Sequence, residues 1–180
     1  MRRFWKTVGI SEKANKEGYS VLLDKRELKT PGGNALVLSR SRWPVSILIA
    51  DEWDKQDTVL KPHTLPVTSL AARAIDGLTN EETRQGVLTF LLKYLDTDTV
   101  CFHEDGPESL VALQDEHWKP LIDWVRQTYN VDVVIYDGIL GTKQPPETIF
   151  RLGNIVEQYD NFKLAGQSTL TGSFGPFLFI

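Results

Sequence analysis

The sequence has little of what defines several large classes of protein. Cys101 is its single cysteine, so no disulfide can form within the chain, as is usual in a reducing compartment such as the cytosol or the mitochondrial matrix. It has no run of 18 apolar residues, which excludes a membrane-spanning helix. Basic side chains are in the minority, 20 against 24 acidic ones, and the net charge of −4 argues against nucleic acid as a partner.

Targeting signals are also missing from the start of the sequence. The opening Met-Arg-Arg-Phe-Trp-Lys has no apolar segment of a secretory signal and does not continue into an Arg- and Ser-rich transit peptide. If the protein is imported into an organelle, we expect its targeting segment to lie outside this chain.

The composition that remains is that of a folded protein. Hydrophobic residues make up 41% and charged residues 24% of the 180 residues, close to globular averages. The charge is uneven, since residues 1–30 carry eight basic and four acidic side chains, whereas residues 31–180 carry twelve and twenty. This asymmetry is consistent with two surfaces that have different partners.

The hydrophobic pattern changes near residue 40, which predicts an α+β fold. Four short strands are predicted at residues 4–10, 19–23, 28–30 and 36–38. Helices are predicted at 41–53, 68–75, 79–95, 105–129 and 146–159, with a kink near Glu116 because Pro120 lacks an N–H, and a single late strand at 131–136. We therefore predict a small N-terminal β domain, 1–40, and a mainly helical domain, 41–180.

The sharpest local motif is Asp96-Thr97-Asp98-Thr99-Val100. It matches D-x-D-x-[TV], in which haloacid-dehalogenase-type phosphotransferases use the first aspartate as nucleophile and the second as acid/base. That chemistry needs the motif at the end of a buried parallel strand, with a later lysine and an acidic pair for Mg²⁺. Here the motif follows a predicted helix, so we favour Asp96 and Asp98 as acceptors for backbone N–H groups at a helix-to-strand junction. The phosphotransferase stays an alternative.

Other candidate chemistry is sparse. Cys101 and His103 lie two residues apart, but the ligand set for zinc would need paired clusters, and Gly138–Lys143 lacks the spacing of a phosphate-binding loop. We therefore predict no catalytic residue, no cofactor, no metal and no small-molecule substrate, which favours a binding or assembly protein. The tryptophans are core anchors or binding hot spots, and the sequence alone leaves this open: Trp5, Trp43, Trp53, Trp118 and Trp124.

Six segments occur in an order and spacing that carry a resemblance to a known family. They are Arg3-Phe4-Trp5-Lys6, Leu22-Leu23-Asp24 with Leu28-Lys29-Thr30-Pro31, Ala50-Asp51-Glu52-Trp53, Pro66–Leu70 with Ala74-Ile75-Asp76, Tyr94–Cys101, and Trp118–Trp124. Together they resemble the ATP12 family, the ATP synthase F1-sector assembly chaperones that act on the α subunit (assembly factor 2 in animals). The similarity runs from about Arg2 to about Gly172.

The resemblance implies an ATP-independent chaperone and not an enzyme. Such proteins bind the free α subunit and cover the surface that later meets the β subunit, in the mitochondrial matrix of eukaryotes or the cytoplasm of bacteria; the wording of Tyr94–Cys101 favours the matrix. The implied site residues are those of the family motifs, Asp96, Thr97, Asp98, Trp118 and Trp124. An adaptor with another client stays an alternative. Family members continue through further helices after a Leu-Thr-Gly segment, which stands here at Leu170–Gly172, so we expect the helical domain to be incomplete.

Overall fold

The computed structural model describes residues 2–14, 17–137 and 143–174, of which 172–174 are described by their backbone alone. The elements in chain order are β1 (Val8–Glu12), β2 (Gly18–Leu23), β3 (Arg26–Glu27), β4 (Val37–Ser39), α1 (Trp43–Asp54), α2 (Pro66–Ala72), α3 (Glu81–Lys93), β5 (Phe102–His103), α4 (Glu108–Leu113), α5 (Lys119–Tyr129), β6 (Tyr136–Asp137), α6 (Pro146–Glu157) and α7 (Asn161–Phe174). Strands precede a mainly helical remainder, which confirms the predicted α+β class. None of the helices within these ranges is long and apolar enough to span a membrane.

The chain divides into two compact units, Met1–Glu81 and Glu82–Ile180. In the first unit, β2 is the central strand of an antiparallel sheet, with β1 along one edge and both β3 and β4 along the other. Helix α1 packs on β1 and β2, since a small sheet must bury one face against another element. The buried side chains include Val21, Leu36, Leu38 and Ile49. The division into domains 1–40 and 41–180 stays a prediction.

The second unit is mainly helical. Helices α4 and α5 form one rod, interrupted by a π turn at Gln114–Trp118. This is where the sequence predicts a kink, because Pro120 has no N–H to donate to the carbonyl of Glu116 and the ladder of α-helical hydrogen bonds must change there.

The predicted strand at 131–136 is wrong for most of its length, because only Tyr136 belongs to a described strand. The backbone before it pairs with side chains instead. Val134 N–H donates to the Gln144 amide oxygen (2.9 Å), Val134 C=O accepts from the Gln144 amide (3.0 Å), and Val133 C=O accepts from the Arg126 guanidinium. A segment whose backbone groups are satisfied in this way has no need of a neighbouring strand.

Helix α7 is not among the helices that the sequence predicts, the last of which ends near residue 159. The carboxylate of Asp160 accepts from the N–H groups of Phe162 (2.9 Å) and Lys163 (3.0 Å) and so starts this helix. Gly166 and Gly172 do not end it. Most of Gly138–Lys143, the segment that lacks the spacing of a phosphate-binding loop, lies outside the described residues, since these omit 138–142.

Candidate functional site

The aspartate motif joins α3 to β5 through two 3₁₀ turns, Tyr94–Thr97 and Thr99–Cys101. Asp98 Oδ1 accepts from Val100 N–H at 3.1 Å, and Asp96 Oδ1 accepts from Gln144 N–H at 2.8 Å. Thr97 is exposed between them. Asp98 therefore accepts a backbone N–H at the helix-to-strand junction, as the sequence predicts, whereas the donor to Asp96 lies outside the junction, in the segment before α6.

Burial controls the protonation of this segment. Asp98 is buried, and the loss of water raises its pKa to about 6, although the hydrogen bond from Val100 opposes this shift. Burial also raises the pKa of the Cys101 thiol to about 12, and the nearby Asp98 carboxylate adds to the effect. Cys101 is therefore a protonated, buried thiol at neutral pH, which is a poor nucleophile and a poor metal ligand.

The surroundings of the motif differ from those of a phosphotransferase. The motif precedes β5, a two-residue strand that pairs in parallel with β6, instead of following a buried parallel strand. Its two carboxylates accept from separate backbone donors, and within the described ranges no three His, Cys, Asp or Glu side chains are grouped to hold a metal. The arrangement stabilises the junction through Asp98 and ties it to the segment before α6 through Asp96.

The two tryptophans of the last family segment lie in different environments. Trp118, in the π turn, is half-buried, and its ring lies 5.7 Å from that of His103. Trp124, on α5, is 46% exposed, with its ring edge-on to Tyr129 at 5.8 Å. Trp118 thus fixes the rod against β5, whereas Trp124 presents a large apolar surface to solvent.

Trp124 belongs to a set of exposed apolar side chains on the α4–α5 rod. Leu121 is 48% exposed and lies three residues before Trp124 on α5, which places both on one side of that helix, and Leu113, just before the π turn, is 53% exposed. We call Leu113, Leu121 and Trp124 the α4–α5 stripe. Other large apolar side chains are exposed as well, in both units: Phe4, Trp43, Ile47, Leu48, Val59, Phe90, Phe150 and Leu170.

The earlier family segments of the first unit are mostly structural. The Glu52 carboxylate accepts from the N–H groups of Val67 (2.6 Å) and Thr68 (2.9 Å) and from the Thr68 hydroxyl (2.6 Å), so it caps α2. Trp53 donates its indole N–H to the same hydroxyl at 3.1 Å, and the Trp5 ring packs against Trp53 in a tilted orientation, with the ring centroids 5.0 Å apart.

Asp76 stabilises the loop before β4 in a similar way, although it lies outside that loop. Its carboxylate accepts from the Thr30 hydroxyl (2.6 Å), the Gly32 N–H (2.8 Å) and the Asn34 side-chain amide (2.9 Å), and these hydrogen bonds lower its pKa. A Cβ on Gly32 would lie 2.8 Å from this carboxylate, so a larger residue there would force Asp76 to shift out of these hydrogen bonds.

Two buried glutamines stabilise the fold through backbone hydrogen bonds that the sequence did not predict. Gln144 pairs with both backbone groups of Val134, and Gln114 pairs in the same way with Glu104, at 2.8 Å and 3.0 Å. Gln114 stands among the apolar positions of its predicted helix, and this was a signal that its amide is buried. Gln144, in a loop, offered no such signal.

Comparison with known proteins places the chain in a family. The family model described as ATP12 chaperone protein matches residues 2–126. The chain is 33% identical over 172 residues to the mitochondrial protein atp12 of Schizosaccharomyces pombe, an alignment that covers 91% of this chain and 58% of that protein. For the mitochondrial protein ATP12 of Saccharomyces cerevisiae the identity is 33% over 138 residues, covering 67% and 42%.

A solved structure gives the same result. The crystal structure of Atp12 from Paracoccus denitrificans matches with a TM-score of 0.84 at 33% identity, covering 99% of this chain and 74% of that one. The chain spans about half the length of the curated relatives it matches. Since the family model covers more than half of the chain and the sequence and structural matches agree with it, the chain belongs to the ATP12 chaperone family.

Proposed function

We propose that this chain is a non-enzymatic assembly chaperone of the ATP synthase F1 sector and that its client is the free α subunit. The observation that carries the proposal is the family match over residues 2–126, supported by the two mitochondrial relatives. We also propose that it works in the mitochondrial matrix, with the bacterial cytoplasm as the alternative.

The physical basis of the proposed activity is the covering of an apolar surface. A subunit made before its partner exposes an interface that is more apolar than ordinary surface and is prone to aggregate. A chaperone without ATP must offer complementary apolar surface and release it to a tighter partner. The exposed side chains of the α4–α5 stripe are suited to this role, and the chemistry of the aspartate motif is taken up by local hydrogen bonds.

The family-motif residues divide between two proposed roles. Asp96 and Asp98 hold the segment between α3 and β5, with Thr97 exposed between them, and Trp118 fixes the rod. Trp124 is the proposed client contact, because an exposed tryptophan held by a neighbouring ring buries a large area at low entropic cost.

Light scattering tests the proposal directly. Free α subunit is diluted from denaturant with and without an equimolar amount of the chain, and we expect the chain to suppress most of the scattering without added ATP. An unrelated acidic protein of similar size is the control. Unchanged scattering would contradict the proposal, and a pull-down that recovers another protein as major prey in place of the α subunit would favour an adaptor.

A further inference from the structure

The α4–α5 rod combines exposed apolar side chains with mostly acidic charge. The stripe residues Leu113, Leu121 and Trp124 are each about half exposed, although Ile122 and Val125, their neighbours on the same helix, are buried. Trp124 is held edge-on against Tyr129, so its ring presents a fixed apolar surface. The rod thus keeps apolar side chains in solvent beside its buried positions.

Acidic side chains are concentrated in the segment of sequence that carries most of this stripe. Residues 104–123 contain six acidic residues and one basic residue, Lys119. Five of the six are exposed and form no ion pair with a described residue: Glu104, Asp105, Glu108, Asp115 and Glu116. The sixth, Asp123, lies 3.4 Å from Arg126, whose guanidinium also donates to the carbonyl of Val133. The positive charge of Arg126 is therefore partly used internally, and acidic side chains predominate in this segment.

Two other exposed apolar side chains, one in each unit, stand beside basic residues. On α1, Trp43 packs on Tyr19 at 4.9 Å and follows Arg40 and Arg42. On α6, Phe150 is 64% exposed and neighbours Arg151, which pairs with Glu147 at 2.7 Å. Of these three sites, only the α4–α5 stripe lies in a segment where exposed acidic side chains without an ion pair to a described residue predominate.

We propose that the α4–α5 stripe binds a basic amphipathic segment of the client. Apolar side chains of that segment cover Leu121 and Trp124, and its lysines and arginines lie beside Asp115 and Glu116. These acidic side chains raise the rate of encounter and select the sign of the partner, whereas the apolar side chains of the stripe supply affinity. The identity of the client rests on the proposed function, but the chemistry of the segment does not.

Two probes keep the two proposals separable. The first is the free α subunit. The second is a labelled 18-residue helical peptide made of leucine and lysine, together with the same peptide in which glutamate replaces lysine. Binding of each to the full 180-residue chain is measured by fluorescence anisotropy at 50 and 300 mM KCl. The higher salt concentration shortens the Debye length and so weakens attraction between exposed charges.

Matched variants locate the binding site. Trp124→Ala removes the exposed ring of the stripe, and Phe150→Ala removes an exposed ring elsewhere in the same unit. The double change Asp115→Lys with Glu116→Lys reverses two of the acidic charges, and Glu157→Lys reverses an exposed acid at the end of α6. Circular dichroism melting confirms that each variant is folded, which is expected because all five side chains are solvent-exposed.

We expect the lysine peptide to bind at least tenfold more tightly than the glutamate peptide, and more weakly at 300 mM KCl. Trp124→Ala should weaken binding of the lysine peptide and of the α subunit about tenfold or more. The double change Asp115→Lys with Glu116→Lys should remove the salt dependence of peptide binding. Phe150→Ala and Glu157→Lys should bind both probes within about twofold of wild type. Peptide binding without α-subunit binding would support the stripe and contradict the proposed function. Equal binding of both peptides, or no loss in Trp124→Ala, would overturn the inference even if the α subunit binds.

Discussion

The carboxylate of Asp98 is buried, and the N–H of Val100 donates a hydrogen bond to it. Its pKa in the folded protein, about 6, lies above the ordinary value of 3.8. A raised pKa in an acid means that folding favours the protonated form. The stabilising contribution is therefore present below pH 4 and is lost as the pH rises through 6.

Asp98→Asn should therefore stabilise the protein at neutral pH. The amide oxygen can still accept from Val100 N–H, and the buried charge is gone. We expect a gain in unfolding free energy of about 1–3 kcal/mol at pH 7.5, which shrinks as the pH falls through 6 towards 4. Urea denaturation at several pH values measures it. The exposed Asp57→Asn is the matched control and should change stability by less than about 0.5 kcal/mol at every pH. The same pH dependence in Asp98→Asn and wild type would contradict this account.

At the scale of elements, sequence periodicity predicts the helices well and the late strand poorly. Helices α3, α5 and α6 carry apolar stripes that have to face a core, so their type follows from the pattern alone. The valine-rich segment before β6 has strand composition, yet its backbone pairs with Gln144 and Arg126. The sequence of this segment does not show that a side chain ten residues away will satisfy its backbone. Its composition alone therefore predicts a strand that does not form.

The candidate site shows the same division. The acceptor role of Asp96 and Asp98 could be predicted, because short carboxylates between a helix and a strand meet free N–H groups. That Trp118 is half-buried and Trp124 exposed could not, since the π turn at Gln114–Trp118 changes which side of the rod each residue occupies. The role of Glu52 at the start of α2 also depends on a contact fifteen residues away.

Gln144 offers a test at this scale. Gln144→Leu keeps a similar volume but leaves the N–H and C=O of Val134 without partners in a largely buried place. Unsatisfied buried groups of this kind cost about 1–3 kcal/mol each, so we expect a loss of about 2 kcal/mol or more in unfolding free energy.

Hydrogen exchange gives this test a local readout. The Val134 amide should exchange faster in Gln144→Leu than in wild type, whereas amides in the middle of α5 should change no more than the global loss of stability requires. The exposed Gln127→Leu is the control and should stay within about 0.5 kcal/mol of wild type. Unaltered stability and exchange in Gln144→Leu would show that the glutamine does not replace a strand.

At the scale of the whole molecule, the two compact units differ in charge. Residues 1–81 carry 13 basic and 10 acidic side chains, whereas residues 82–180 carry 7 and 14. The family segments of the first unit are occupied in holding its sheet, helices and loops together. The acidic second unit holds the α4–α5 stripe. Structural family residues therefore lie in both units, including Asp96, Asp98 and Trp118 in the second, and the proposed client contact, Trp124, lies in the second.

Competition with the β subunit tests the central claim most directly. The chain is mixed with free α subunit, and the mass of the complex is measured by size-exclusion chromatography with light scattering before and after β subunit is added. We expect a one-to-one complex of the chain with α, from which β releases the chain as it pairs with α. Failure to form the first complex, or a stable particle that contains α, β and the chain together, would contradict the claim that the chain covers the surface that β later occupies.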